Sequence, residues 1–286
     1  MKNILVIFTF LLVIFSCQTA QKEEFLFSSN RTGNSDIYLM DVATGETTQL
    51  TNSANEEWGP TWITKNTISF LRQEKDQITR VELNLDTKKE TAIAHPENCV
   101  LDDKNMLYAA NGTLQLYLCK SDVFLFDTTT KETTNLTESL QGFSNYPSWS
   151  FDGRHVIFTN NSSGTNDIYK VNVQTREIKK LTDYSSNDER GELSPDANYL
   201  VFSSDKFQPK NQDILLMNLK TGTLENITNS KGNELIARWS ADGKQVYYGS
   251  NTDGNWELYR YSLKDKSTKR LTNTDAFDGD PRVFKN

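Results

Sequence analysis

Ten carboxylates are crowded into short stretches that recur along this 286-residue chain. They are Glu56, Glu57, Glu138, Asp183, Asp188, Glu189, Glu234, Asp275, Asp278 and Asp280, and only Arg190 and Lys231 stand among them as cations. Gathered on one face, such a set attracts cations or a basic segment of a partner. Trp58, Tyr146 and Phe277 lie in the same stretches, where aromatic side chains can anchor a protein partner or stack on a sugar. Paired acids of this kind can also cleave glycosides. The rest of the catalytic inventory is thin. There are two histidines: His155 falls in a strand-like run and His95 precedes Pro96, a placement that does not make a zinc site. No Gly-x-Ser-x-Gly elbow is present. The run Asn251-Thr-Asp-Gly-Asn-Trp-Glu257 echoes a calcium loop without its full ligand spacing. No metal, no cofactor and no catalytic residue is expected.

The elements that must position these side chains are legible from a repeat. Leu-Thr recurs at residues 50, 136, 181 and 271, with Ile227-Thr228 in the same role, at gaps of 86, 45, 46 and 44 residues. The first gap is twice 43 and hides a degenerate copy at Ile93-Ala94. Asp36, Asp122, Asp167, Asp213 and Glu257 each stand 14 residues before the Leu or Ile of that pair. A carboxylate required once per copy ties local backbone, as an Asx-type hydrogen bond does, rather than binding a ligand. Each copy reads as four strands. A short inner strand carries Trp62, Trp149 or Trp239, which are expected in the core between units. An Asp-Gly type turn, a second strand, an Asp-Ile-Tyr strand, a Thr-Gly type turn and an outer strand follow. Periods of this length with four strands per unit indicate a propeller. The expectation is an all-β, six-bladed β-propeller over residues 25–286. Its first copy lacks an inner strand, and Pro281-Arg-Val-Phe284 supplies it, so the C-terminal strand pairs beside the N-terminal one and removes the open edge. If inner strands run from the top face down, the acidic crossings and the variable second-to-third-strand loops share the top.

The run Trp-Ser-x-Asp-Gly, Phe-x-Ser/Thr-Asn, Asp-Ile-Tyr, Thr-Gly, Leu-Thr resembles the repeat of the TolB-like, or WD40-like, β-propellers. The resemblance covers residues 25–286. It departs in the second copy, which lacks the Asp-Gly turn and the Asp-Ile-Tyr, and in the third, where Asn111 to Ser121 reads as a longer loop. It implies an envelope component, a peptidase-associated propeller or a binding module, because fold alone does not set function. Related propeller lyases of oligogalacturonides would require a histidine-rich metal site that this chain does not show.

The first residues are of another kind. Lys2 is followed by an apolar run, Ile4 to Phe15, too short to span a bilayer and suited to a signal peptide over residues 1–16. Ser16-Cys17 with Ile14 at minus three resembles a bacterial lipobox, although Phe15 departs from the usual small residue. It implies cleavage before Cys17 and lipidation of Cys17, with residues 17–24 as a tether. Several acyl chains together give stable anchoring to a membrane. Loss of Lys2 moves the net charge from −7 to about −8, so no nucleic acid partner is expected. Cys99 and Cys119 remain; export would let them form a disulfide, and otherwise they are small buried hydrophobes.

The reading that follows is a non-enzymatic, lipid-anchored envelope protein of a Gram-negative bacterium, at the outer membrane, in which the top face binds a protein or peptide. Glu56, Glu57, Trp58, Tyr146, Asp188, Glu189, Glu234, Asp278 and Asp280 are its candidate binding residues. The alternative is a glycan-binding or glycan-processing, polysaccharide-lyase-like lipoprotein. Whether the protein faces the periplasm or the outside stays open.

Overall fold

The computed structural model describes residues 23–99, 107–108 and 112–285. The signal peptide, Cys17 and most of the tether lie outside the described residues. Among the described residues all regular structure is β, in six four-stranded antiparallel sheets. We number the sheets as blades in chain order. Blade 2 runs Glu57–Thr64, Thr67–Glu74, Gln77–Asn84 and Glu90–Ile93. The inner strands of blades 3 to 6 are Leu107–Tyr108, Ser144–Trp149, Asp188–Leu193 and Glu234–Trp239. Blade 1 takes its inner strand, Asp278–Val283, from the far end of the chain. That strand pairs with Glu24–Ser29 through Phe25–Val283 and Ser29–Asp278. Each inner strand packs beside the next and the last packs beside the first, so the ring is closed. Closure leaves no inner edge exposed.

In the third repeat the structure differs from the sequence reading. Leu114–Cys119 is the second strand of blade 3, not part of a long loop, and pairs residue for residue with Asp122–Asp127. Its Leu-Gln-Leu-Tyr-Leu-Cys run lacks the Asp-Gly turn that marks the second strand elsewhere, which is why it was hidden.

The six apolar clusters sit at the six junctions between blades, not within single sheets. Leu116 and Leu125 of blade 3 pack with Trp149 and Phe158 of blade 4, and Tyr247 and Leu258 of blade 6 pack with Phe25 and Met40 of blade 1. Each second strand is therefore covered on both faces, and reads as a continuous apolar run such as Tyr199-Leu-Val-Phe202 instead of alternating. Trp239 is fully buried and its indole N–H donates to the Glu192 carbonyl of the preceding blade, at 3.2 Å. Trp62 does the same to the Arg282 carbonyl at 2.9 Å, and this bond spans the closing seam.

The spacing of 14 residues has a plain cause. In each complete repeat the Thr of Leu-Thr accepts the N–H of the residue after the recurrent acid. The distances are 2.9 Å for Ile37 to Thr51, 3.1 Å for Val123 to Thr137, 2.9 Å for Ile168 to Thr182, 3.0 Å for Ile214 to Thr228 and 2.9 Å for Leu258 to Thr272. In four of the five blades the same hydroxyl donates to the acid itself, as Thr137 does to Asp122 at 2.7 Å. The acid is thus a peg between the third strand and the end of the fourth, more distant than an Asx turn. The Asp-Gly turns are closed by a serine. Ser150, Ser194 and Ser240 each donate to the Asp two residues on, at 2.6, 2.6 and 2.8 Å.

Candidate functional site

Inner strands begin at the top face, so their first three residues ring the axial mouth. The first position is buried in blades 1, 2, 4, 5 and 6. Glu57, Asp188 and Asp278 are fully buried, Glu234 is 1% exposed, and Ser144 takes the place in blade 4. This corrects the expectation that the four acids form an accessible rim. Asp188, Asp278 and Glu234 face the last residue of the second strand, Ser204, Ser29 and Ser250, and Glu57 faces Arg72, two residues before the end of its longer second strand. Glu57 accepts Arg72 Nε at 2.5 Å and Asp278 accepts both hydrogen bonds of Arg31 Nη2, at 2.8 and 2.9 Å. Asp188 has only hydroxyl donors, Ser186 at 3.0 Å and Ser204 at 2.6 Å, and Glu234 likewise accepts from Ser230 and from Ser250. Burial pushes the Asp188 and Glu234 carboxyls above the ordinary carboxylate range, their serine hydrogen bonds opposing it.

The second and third positions are what the mouth presents. A bulge in five of the six inner strands, all but the short one of blade 3, places the third residue in the left-handed region: Gly59 at φ 61°, Tyr146 at 49°, Arg190 at 58°, Ile236 at 59° and Asp280 at 58°. Such backbone costs a non-glycine residue about 1–3 kcal/mol, and a β-branched Ile most of all. Arg190 lies over the Tyr146 ring at 4.0 Å and donates to its hydroxyl at 2.9 Å and to Glu189 at 2.5 Å. Trp58, Tyr146, Glu189 and Asp280 are all half-buried, and Glu56 is exposed. The mouth therefore carries mixed charge, with Glu189 paired to Arg190, and is less acidic than the sequence suggested.

Four large apolar side chains stand exposed among the described residues: Phe143 at 52%, Phe207 at 51%, Ile78 at 39% and Phe277 at 38%. All four lie at the top. Phe143 and Phe277 occupy the same place in two repeats, directly before the inner strand. Phe207 is in the second-to-third-strand loop of blade 5, and Ile78 is the second residue after the corresponding hairpin of blade 2. Side-chain amides hold the two phenylalanines on fixed backbone. Asn161 Oδ1 accepts Phe143 N–H at 2.7 Å, and Asn30 Oδ1 accepts Phe277 N–H at 2.8 Å. Phe277 was legible on this face from the sequence, whereas Phe143, Phe207 and Ile78 were not. The signal for Phe143 was its equivalence to Phe277.

Side chains that suggested catalysis are spread out. His155 begins the second strand of blade 4, and His95 packs edge-on to Tyr117 at 6.4 Å in the stretch before blade 3. Asp253 accepts Tyr259 Oη at 2.5 Å and Arg270 at 3.2 Å, and Glu257 holds Arg270 at 2.9 Å, so both acids of the calcium-like loop are engaged. Among the described residues no group of three His, Cys, Asp or Glu side chains is placed to hold a metal. Cys99 and Cys119 form a disulfide, which resolves the alternatives left by the sequence.

Comparison with known proteins sets this geometry in context. No family model matches the chain. A Tol-Pal system protein TolB from Francisella tularensis is 32% identical over 82 residues, a stretch that covers 29% of this chain and 19% of that protein. The matched stretch thus spans about a fifth of that curated relative's length. The crystal structure of TolB from Acinetobacter baumannii superposes with a TM-score of 0.78 at 17% identity, over 92% of this chain and 66% of that one. The structure of a putative TolB from Agrobacterium tumefaciens gives 0.70 at 14% identity, over 93% and 99%. The pegged repeat, the closed ring of six blades and these likenesses together give the chain a TolB-like β-propeller fold.

Proposed function

We propose that the chain is a non-enzymatic binding module of a Gram-negative cell envelope that captures a protein or peptide on its top face. The observation that carries the reading is the placement of the exposed apolar side chains, all four of them on that one face. Large apolar residues presented together on rigid backbone mark interaction surfaces. Glu56, Trp58, Tyr146, Glu189 and Asp280 border the same mouth and would select a partner segment that is both apolar and basic. The buried Glu57, Asp188, Glu234 and Asp278 support the mouth from behind and touch no partner.

The envelope setting is supported by the relative named as a Tol-Pal system protein. It is also supported by the Cys99–Cys119 disulfide, a bond that persists in oxidising compartments. Lipidation at Cys17 would hold the propeller at the outer membrane through the short tether. The test is capture from solubilised envelopes, using wild type, a Phe143→Ser/Phe277→Ser variant and a bottom-face Arg176→Ser control. One protein retained by wild type and by the control, and reduced at least tenfold with the top-face variant, supports the reading. Equal capture by all three overturns it.

A further inference from the structure

The opposite end of the axial channel has its own chemistry. The fifth residue of five inner strands lines a cavity of about 60 Å³ there, partly open to solvent. These residues are Arg282, Thr61, Ser148, Glu192 and Arg238 in blades 1, 2, 4, 5 and 6. At about 30 Å³ per water, that space holds about two waters, room for a small oxyanion at its partly open mouth. Lys285 enters the same cavity from beyond the closing strand.

The charges lining it do not balance. Among the described residues that line it, Glu192 is the one carboxylate, against Arg238, Arg282 and Lys285. Its Oε2 is shared, 3.0 Å from Lys285 Nζ and 3.6 Å from Arg238 Nε, while its Oε1 accepts the Trp239 N–H at 3.0 Å. Lys285 also donates to the Trp149 carbonyl at 2.6 Å, and Arg238 Nη1 to the Ala237 carbonyl at 2.8 Å. Arg282 Nε is buried with no hydrogen-bond partner among the described residues. Asp280, two residues earlier, acts on Arg238 from outside the cavity wall. Burial first, then repulsion by Arg282, pushes the Arg238 guanidinium down, to about 9. It still carries its charge at neutral pH. Buried cations are ordinarily paired, because desolvating them alone is costly. An orphaned guanidinium donor beside an open cavity, in a chain of net charge −7, marks a missing negative partner.

We propose that this end of the channel binds one small oxyanion, a carboxylate or a phosphate, held by Arg282 and Arg238 with Lys285 adding charge. Guanidinium groups bind both oxyanions through paired N–H donors. The site is separate from the top face and does not depend on the function assigned to it.

The experiment titrates the full chain, in low-chloride buffer, with inorganic phosphate and separately with succinate. Calorimetry is followed together with the arginine Nε–H resonances of ¹⁵N-labelled protein. Saturable binding is expected, with the Arg282 Nε–H resonance shifting and saturating alongside the heat. Arg282→Gln should weaken binding at least tenfold, and Arg282→Lys should recover part of the loss. Tighter binding of phosphate assigns a phosphate site, and tighter binding of succinate a carboxylate site. If neither anion moves the wild-type Arg282 resonance, or if Arg282→Gln folds and binds with unchanged affinity, the proposal is wrong. The wild-type resonance decides the matter even where the variant fails to fold.

Discussion

Replacing Arg31 tests how the ring is closed. Arg31 follows the second strand of blade 1, and Asp278 opens the inner strand delivered from the other end of the chain, 247 residues away. The Asp278 side chain is fully buried and Arg31 is 21% exposed. The guanidinium also donates to Ser29 Oγ at 2.9 Å and lies 5.2 and 4.8 Å from the Phe27 and Tyr38 ring centres. Arg31→Met keeps most of the apolar contact but leaves Asp278 with a lone hydroxyl donor, Thr274 at 3.3 Å. Removing one partner of a buried pair costs about 3–5 kcal/mol. Partial exposure of Arg31 lets water reach the orphaned carboxylate, so the lower end, about 3 kcal/mol, is expected. For a domain of this size that is roughly 6–12 °C in Tm. The assay is urea denaturation with a parallel thermal melt. Arg31→Met/Asp278→Asn removes the stranded charge and should regain at least half of the loss. Arg154→Met breaks an exposed pair, 3.9 Å from Asp152, and should cost less than about 1 kcal/mol. A loss for Arg31→Met no greater than that of Arg154→Met, or no recovery in the double variant, would refute the reasoning.

Three further outcomes follow from the same structure. Reducing the Cys99–Cys119 disulfide, which spans 20 residues, should lower unfolding stability by about 3 kcal/mol, read by urea titration with and without reductant. Thr272→Val should cost about 1–3 kcal/mol by leaving the Leu258 N–H without its acceptor, while Thr272→Ser should cost far less. The carboxyls of Asp188 and Glu234 sit above their unfolded values because of burial. The folded state then holds those protons more tightly, so their contribution is complete below about pH 4 and is lost as pH rises through the folded values. The Tm difference between Glu234→Gln and wild type should therefore grow in favour of the variant from pH 4 to pH 7; a difference independent of pH would argue against a perturbed Glu234.

The architecture was legible because the repeat writes its pegs into the sequence. A Thr that must reach an Asp across one hairpin fixes their separation, and five copies at one spacing betray it. Ring closure was legible for a related reason: the first copy lacked a strand and the last had one to spare. The site was less so. Glu57 and Glu56 are neighbours in sequence, yet one is fully buried and the other exposed, because the first residue of an inner strand turns back onto the second strand. Composition cannot separate the two. The bulge was hidden because only blade 2 marks it with glycine; Tyr146, Arg190, Ile236 and Asp280 adopt the same left-handed backbone without that signature. The basic end of the channel was hidden too, since Arg238 lies in blade 6 and Arg282 and Lys285 lie on and just past the strand that closes blade 1, and they meet only around the axis.

Site-specific photo-crosslinking in intact cells tests the central claim most directly. A photoreactive residue replaces Phe143 on the top face and, in a second strain, Lys220 in a turn on the bottom face. One discrete protein adduct is expected from position 143 and none from position 220. Adducts from position 220 alone, or none from position 143 while the protein is present at normal levels, would contradict it.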